Sequence, residues 1–242
     1  MTNSKTQIDR LGDRLREGIL EEADLRQLDA YRRSFAPAYD EIVSVIRREL
    51  ATEPTGRPAK STPSIVEKLQ RESIRLSQMQ DIAGCRFVVP DIAAQDGAIA
   101  VLKAAMPNAD VVDRRQNPSH GYRGVHVIAT VNERSVEIQI RTEPQHLWAE
   151  ISEKLADLLD PGLKYGRGPA SVQTFLRTMS NRVGTLEKLT AERAATLSEA
   201  SRTGLSREVL ERMTEHDRLI TAARQELDSI HQTLMSIPAK PK

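Results

Sequence analysis

The residues SVEIQIR, 135–141, alternate strictly: Val136, Ile138 and Ile140 fall on one face of an extended chain and Glu137, Gln139 and Arg141 on the other. Just upstream, Tyr122 and His126 are four residues apart and share a face if that stretch is also extended. A carboxylate, an amide, a guanidinium, a phenol and an imidazole would then line one surface. Alternation alone leaves two readings open, a polar binding site or a solvated sheet face. A second cluster is basic. Between Arg57 and Arg86 lie Arg57, Lys60, Lys68, Arg71, Arg75 and Arg86 against only Glu67, Glu72 and Asp81. Ser64, Lys68 and Arg71 stand at i, i+4 and i+7, on one side of a helix predicted to start at Ser64. A hydroxyl at a helix amino terminus with cations one turn apart suits a chain of phosphates; a solvated charged face is the alternative. Asp81 precedes the apolar run IAGCRFVV. Paired with Glu137 across a sheet, it can hold Mg²⁺, a cation that favours one or two carboxylates with substrate phosphates and water.

These groups need a scaffold. Residues 7–50 read as helix from the spacing of Leu15, Ile19, Leu20, Leu25, Leu28, Tyr39, Ile42, Val45 and Ile46, with a break near Pro37. ATEPTGRPAKSTP is a polar loop, and a helix runs from Ser64 to about Ser77. IAGCRFVV is a strand and 91–106 a helix. Ala109–Arg114, Tyr122–Val131 and Ser135–Arg141 are strand-like, the last two joined by Asn132–Arg134. A helix follows from Glu143 to Leu159; PGLKYGRGP marks a boundary, and two long helices occupy about 170–200 and 206–236. The second carries Met213, Ile220, Leu227 and Leu234 interleaved with Val209, His216, Ala223 and Ile230, a seam for helix packing within the chain or between chains. The fold class is α/β in the α+β sense: a mixed sheet flanked by helices, with a carboxyl-terminal helical hairpin. Residues 1–166 form the sheet domain and 167–242 the extension.

The 242 residues are 39% hydrophobic, enough to close a core. A net charge of +1 offers no bulk attraction to nucleic acid or membrane. Cys85 is the one cysteine, so no internal disulfide forms, and its apolar setting reads as a buried strand position. Neither an apolar leader nor a membrane-length run is visible, and a cytoplasmic location is expected.

Four blocks occur in order: Arg57, Lys60, Ser64-Ile65, Lys68 and Arg71; Asp81-Ile82-x-Gly84-x-Arg86; His120-Gly121-Tyr122-Arg123-x-x-His126; and Val136-Glu137-Ile138-Gln139-Ile140-Arg141-Thr142. Together they resemble the synthetase domain of RelA/SpoT-type alarmone synthetases over about residues 30–166. The resemblance implies a nucleotidyltransferase-like mixed sheet and transfer of the β,γ-pyrophosphate of ATP to the 3′-hydroxyl of GDP or GTP, giving (p)ppGpp and AMP. It implies that Arg57 and Arg86 clamp adenine and that Lys60, Ser64, Lys68 and Arg71 hold the ATP phosphates. It further implies that Asp81 and Glu137 bind Mg²⁺, with Glu137 taking the proton from the attacking hydroxyl. Tyr122 would stack on the acceptor base, with His126, Gln139, Arg141 and, at the margin, His146 completing that side. Trp148 is read as core.

Some positions depart from the family pattern. Two residues separate Arg57 from Lys60 where one is usual. The loop Asn117-Pro118-Ser119-His120-Gly121 is a residue shorter and lacks a lysine, for which Arg114 and Arg115 are candidates. Gly124 stands where serine is usual. The expected identity is a small, synthetase-only member. The hydrolase domain of long members is not expected, since His216-Asp217 stands alone in a helix. Two alternatives stay open: a toxin-type enzyme that modifies the 3′ end of tRNA or an adenine nucleotide and has a neutralising antitoxin, or a non-catalytic nucleotide sensor. Self-association through the carboxyl-terminal helices is the further partner expectation.

Overall fold

The computed structural model describes residues 4–18 and 21–238. Ile19 and Leu20, counted above into the first helical stripe, lie outside the described residues. The chain divides into two compact units that interleave along the sequence. One comprises residues 1–87, 98–112 and 126–139, the other 88–97, 113–125 and 140–242.

The first unit opens with three helices where the sequence suggested one interrupted run: α1 (Lys5–Glu17), α2 (Glu22–Arg33) and α3 (Ala36–Leu50). The first break is at Gly18, whose left-handed φ of 75° ends α1. The second break falls at Ser34 and Phe35, near Pro37 as the spacing predicts, with α2 ending at Arg33 and α3 starting at Ala36; it is not the ring of Pro37 that interrupts a helix. Pro37 occupies the first turn of α3, where its missing N–H costs nothing. Five strands form one sheet: β1 (Thr55–Arg57), β2 (Ala83–Val89), β3 (Asp110–Asp113), β4 (Val125–Val131) and β5 (Arg134–Thr142), in the order β1-β2-β5-β4-β3. β1 lies inside the stretch read as loop; three residues are too few for a pattern to reveal. It runs antiparallel to β2, with Thr55 opposite Arg86, Gly56 opposite Cys85 and Arg57 opposite Gly84. The β4–β5 turn is shorter than expected. Only Asn132 and Glu133 form it, both with positive φ (48° and 62°), the turn that matches strand twist.

The alternation read in SVEIQIR holds. Val136 and Ile138 are fully buried, while Glu137 and Gln139 are half-buried on the other face. α4 spans Thr62–Arg71 rather than starting at Ser64, because the Ser61 hydroxyl caps it by accepting from the Ser64 N–H. A single 3-10 turn, Leu76–Gln78, then leads toward β2. α5 (Ile92–Ala105) connects β2 to β3.

The second unit is built on α6 (Glu143–Leu158), α7 (Ala170–Thr203) and α8 (Arg207–Met235). Trp148, Ile151 and Leu155 of α6, Leu176, Met179, Val183 and Leu186 of α7, and Leu227 of α8 share one core. Ile220, Ala223, Ile230 and Leu234 pack against it, so this part of the α8 seam is covered by the chain's own helices. Among the described residues no helix is long and apolar enough to cross a membrane.

Two helical glycines give opposite forecasts. A methyl group on Gly12 of α1 would sit 2.7 Å from Leu76 Cβ, whereas one on Gly97 of α5 would meet nothing within 4 Å. Gly97→Ala should therefore stabilise by roughly 0.5–1 kcal/mol through helix propensity. Gly12→Ala should destabilise by about 1–3 kcal/mol, overpacking outweighing the same propensity gain. Urea titration of both variants checks this, and equal signs would refute the packing at Gly12.

Candidate active site

Within the first unit, three strongly desolvated charges converge. The Lys60 ammonium donates to Asp81 Oδ2 at 2.7 Å and the Lys68 ammonium to Asp81 Oδ1 at 2.8 Å. Their side chains keep only 11%, 20% and 15% of their exposure. Burial alone would push the Asp81 carboxyl up; the charges of Lys68 and Lys60 and their hydrogen bonds outweigh it and hold it at about 2. The backbone fixes this arrangement. Lys60 N–H donates to the Ile82 carbonyl at 2.7 Å, so the segment before α4 adds to the edge of β2 beside Asp81. Arg32 of α2 reaches across to the Lys60 carbonyl and the Thr62 hydroxyl. Nothing in the sequence around Arg32 signals this role, since a charged residue in a helix is ordinary. Ser61, not Ser64, is the cap that orients α4, and with serine or threonine at 61, 62 and 64 the sequence does not single it out.

The expected phosphate-facing residues separate by partner. Ser64 accepts from the Ser61 hydroxyl at 2.8 Å. Lys68 meets Asp81, while Arg71 donates to Glu67 and Glu72 at 3.4 and 2.9 Å. Arg57 is exposed, with Nη2 3.4 Å from the Asp81 carbonyl. From the β1–β2 register, Arg57, Gly84, Thr55 and Arg86 project to one face of the sheet, and Gly84 leaves that face bare between the two arginines. Gly84 also lets β2 approach β5 closely, for a Cβ there would lie 3.0 Å from the Glu137 carbonyl oxygen.

Glu137 is braced by its neighbours. His126 Nδ1 lies 2.9 Å from Oε1, and the Gln139 amide donates to Oε2 at 2.7 Å. Burial pushes this carboxyl up, but the hydrogen bonds and charge from His126 and the amide of Gln139 bring it below the ordinary carboxylate range, against the opposing charge of Asp81. Asp81 and Glu137 are thus both held below the ordinary carboxylate range. Both are ionised at neutral pH, and their oxygens are the hard donors that Mg²⁺ accepts, though all four oxygens have partners within the protein. Among the described residues no group of three or more histidine, cysteine or acidic side chains gathers for a metal. Any divalent ion here would have to share its shell with ligand oxygens. Cys85, buried beneath, has its thiol pushed up to about 12 by burial and by Glu137, so it is inert.

Within the second unit, Tyr122 precedes β4 instead of lying in it, so the shared-face argument with His126 does not apply. A turn places it: His120 and Gly121 have φ of 53° and 97°, and Ser119 and Tyr122 exchange backbone hydrogen bonds at 3.1 and 2.9 Å. The buried Arg141 guanidinium sits 5.2 Å from the Tyr122 ring centroid, its Nε 3.2 Å from the hydroxyl. Gly124 fits under this ring; a Cβ there would strike the tyrosine hydroxyl at 2.3 Å, so a side chain at this position would require the ring to move. His146, on α6, has Nε2 3.7 Å from Glu150. Trp148 is core, its indole donating to the Leu176 carbonyl at 2.8 Å. Of the two arginines considered as substitutes for the missing loop cation, Arg115 is committed to Asp113 and Asp96, both at 2.6 Å.

Residues 56–156 match the family described as a region found in RelA / SpoT proteins. The chain is 33% identical over 165 residues to the GTP pyrophosphokinase YjbM of Bacillus subtilis, covering 60% of this chain and 73% of that protein. It is 38% identical over 115 residues to the uncharacterized protein Rv1366 of Mycobacterium tuberculosis, and spans 42% of that relative's length. Among solved structures, small alarmone synthetase 1 of Bacillus subtilis matches with a TM-score of 0.53 and 27% identity, over 74% of this chain and all of that one. The same enzyme bound to AMPCPP gives a TM-score of 0.51 and 25% identity, over 72% of this chain and all of that one.

The depressed Asp81 carboxyl makes a pH forecast. A carboxylate whose folded pKa of about 2 lies below its ordinary 3.8 stabilises the fold above pH 4, and that contribution disappears as pH falls toward 2. The stability difference between the native protein and Asp81→Asn should shrink by roughly 2 kcal/mol from pH 4 to pH 2. Urea unfolding at several pH values measures it, and a constant difference through that window would contradict the ion cluster.

Proposed function

Because the chain belongs to the RelA/SpoT family, with its small alarmone synthetases, we propose that it is a pyrophosphokinase transferring the β,γ-pyrophosphate of ATP to the 3′-hydroxyl of GDP or GTP. The observation that carries this reading is Asp81 held between Lys60 and Lys68 just before β2, with Glu137 held by His126 and Gln139 on the neighbouring strand β5. Two lysines and a helix amino terminus supply positive charge for the triphosphate, and Arg71 and Ser64 lie on the same helix. Arg57 and Arg86 share a sheet face and are assigned to the two sides of adenine. Asp81 and Glu137 would hold Mg²⁺, which when bound neutralises phosphate charge.

In the reaction the acceptor O3′ forms a bond to the β-phosphorus as the bond from that phosphorus to the α,β-bridging oxygen breaks, and AMP departs. Glu137 receives the hydroxyl proton. Its low proton affinity makes it a modest base, which suits a transfer that depends chiefly on positioning and charge neutralisation. Lys60 and Lys68 leave Asp81 for phosphate oxygens when ATP arrives, so each charge keeps an opposite partner. Tyr122 is assigned to the acceptor base, and His126, Gln139, Arg141 and His146 to the acceptor side by matched position. The shortened loop at Asn117–Gly121 and the engagement of Arg115 with two aspartates favour keeping a second acceptor class in the assay, the 3′ end of tRNA or an adenine nucleotide.

The test is incubation with γ-labelled ATP and Mg²⁺, offering GDP, GTP, ATP and deacylated tRNA separately. Label on a guanine nucleotide is the expected result; label on tRNA or ATP alone would replace the acceptor, and label on none would refute the activity. Glu137→Ala should lower transfer at least about a hundredfold while ATP affinity, read by calorimetry, stays within about threefold, roughly 0.65 kcal/mol. Undiminished turnover in that variant would remove Glu137 from the mechanism.

A further inference from the structure

Arg123 follows Tyr122 in sequence, yet its side chain serves a different element. Its Nε donates to both the Ser180 carbonyl and the Ser180 hydroxyl of α7, each at 2.9 Å, and its Nη1 donates to the Arg115 carbonyl at 2.8 Å. One guanidinium therefore joins the two ends of the 115–123 loop to each other and fastens both to α7. Ser180 is buried, and a helix carbonyl that accepts a side-chain donor in such a place is a specific anchor.

The seat for this group is cut into the helix. Gly184 lies one turn beyond Ser180, and a Cβ there would stand 3.0 Å from the Arg123 Cζ, 3.1 Å from Nη1 and 3.2 Å from Nη2. Glycine in the middle of a 34-residue helix costs about 1 kcal/mol relative to alanine. The flat contact with the guanidinium gives that glycine a purpose. The loop has two more close fits. At Gly121 a Cβ would stand 2.6 Å from the Trp148 ring, and at Gly166 one would stand 2.3 Å from the His120 ring. Tyr122 emerges from this loop with its ring 6.4 Å from Trp148 and beneath Arg141. Glu187, three residues beyond Gly184 on α7, accepts from the Thr142 hydroxyl and the Gln145 amide, and Arg115 is held by Asp113 and Asp96, so these nearby polar groups already have partners.

We propose that Arg123 is a positioning residue for acceptor recognition: by clasping its loop to Ser180 and Gly184 of α7 it fixes the attitude of the Tyr122 ring, and α7 thereby becomes part of the acceptor-binding apparatus. The inference rests on the proposed role of Tyr122. An arginine is required because Ser180 and the Arg115 carbonyl are met by two different nitrogens of one planar fork lying against a glycine; a lysine keeps the charge but offers a single nitrogen.

Kinetics and fluorescence of Arg123→Lys, Arg123→Ala and Gly184→Ala test it against the native enzyme, with Trp148, the chain's one tryptophan, as reporter. All three should raise the acceptor KM, Arg123→Lys by about tenfold or more, because small misplacements near a reacting group are costly. The ATP KM should stay within about twofold, a difference near 0.4 kcal/mol. Trp148 should become more accessible to acrylamide, with the melting temperature little changed in Arg123→Lys. Equal increases in both KM values, an unchanged acceptor KM, or full activity in Arg123→Lys would overturn the proposal. If Arg123→Ala fails to fold, the lysine and Gly184→Ala variants carry the same comparison. If the native protein labels an acceptor other than a guanine nucleotide, the functional reading fails alone and the clasp is measured with that acceptor. If it labels none, both fail.

Discussion

A carboxylate held between two ammonium groups is the constraint on which the first unit is organised. Asp81 with Lys60 and Lys68 places three charges where little water reaches them, and such charges are tolerated only when each has partners at hydrogen-bond distance. Meeting that condition fixes several elements together. The chain before α4 must pair with the edge of β2 to bring Lys60 in, α4 must start at its Ser61 cap so that Lys68 points the right way, and Arg32 must hold the Lys60 carbonyl.

Glu137 shows the complementary device. Its oxygens are aimed by His126 and Gln139, side chains from the same hairpin, and the two-residue turn at Asn132–Glu133 sets the register that brings them together. A slip of one residue would bury the carboxylate and expose Val136 and Ile138. The same alternation that closes the core therefore presents the acid, and Gly84 allows the neighbouring strand to come near enough to matter. Packing and chemistry are set by one pattern here.

This explains which parts of the protein could be read from residues alone. The SVEIQIR alternation, the two long carboxyl-terminal helices and the apolar strand after Asp81 have periods long enough to declare themselves, and the structure contains each. β1 is three residues long, and its identity depends on Gly56 fitting against the Tyr39 hydroxyl, where a Cβ would lie only 1.3 Å away. Such a close approach has no local signature. Tyr122 reads as a strand residue from sequence because an extended stretch and an irregular turn look alike when only apolar spacing is counted. Its true placement depends on left-handed backbone at His120 and Gly121 and on a tryptophan distant in sequence. The basic cluster was visible as composition, but the sharing of Asp81 by two of its lysines was not, because partner choice between charges is decided by three-dimensional distance.

The paired lysines also bear on how the site proposed for the triphosphate is stored without its substrate. An isolated pair of buried ammonium groups would lose protons or draw in water, and an isolated Asp81 would be pushed toward its neutral form. Held together, each has a partner of opposite charge at hydrogen-bond distance. On the proposed reading, the incoming triphosphate and its cation bring charges of opposite sign in the same proportions, so the lysines and the aspartate exchange one set of partners for another. No charge is left exposed to a dry environment during the exchange. The energetic difference between the empty and loaded arrangements is then a difference between two satisfied networks, and it is smaller than the cost of assembling either one from solvated groups.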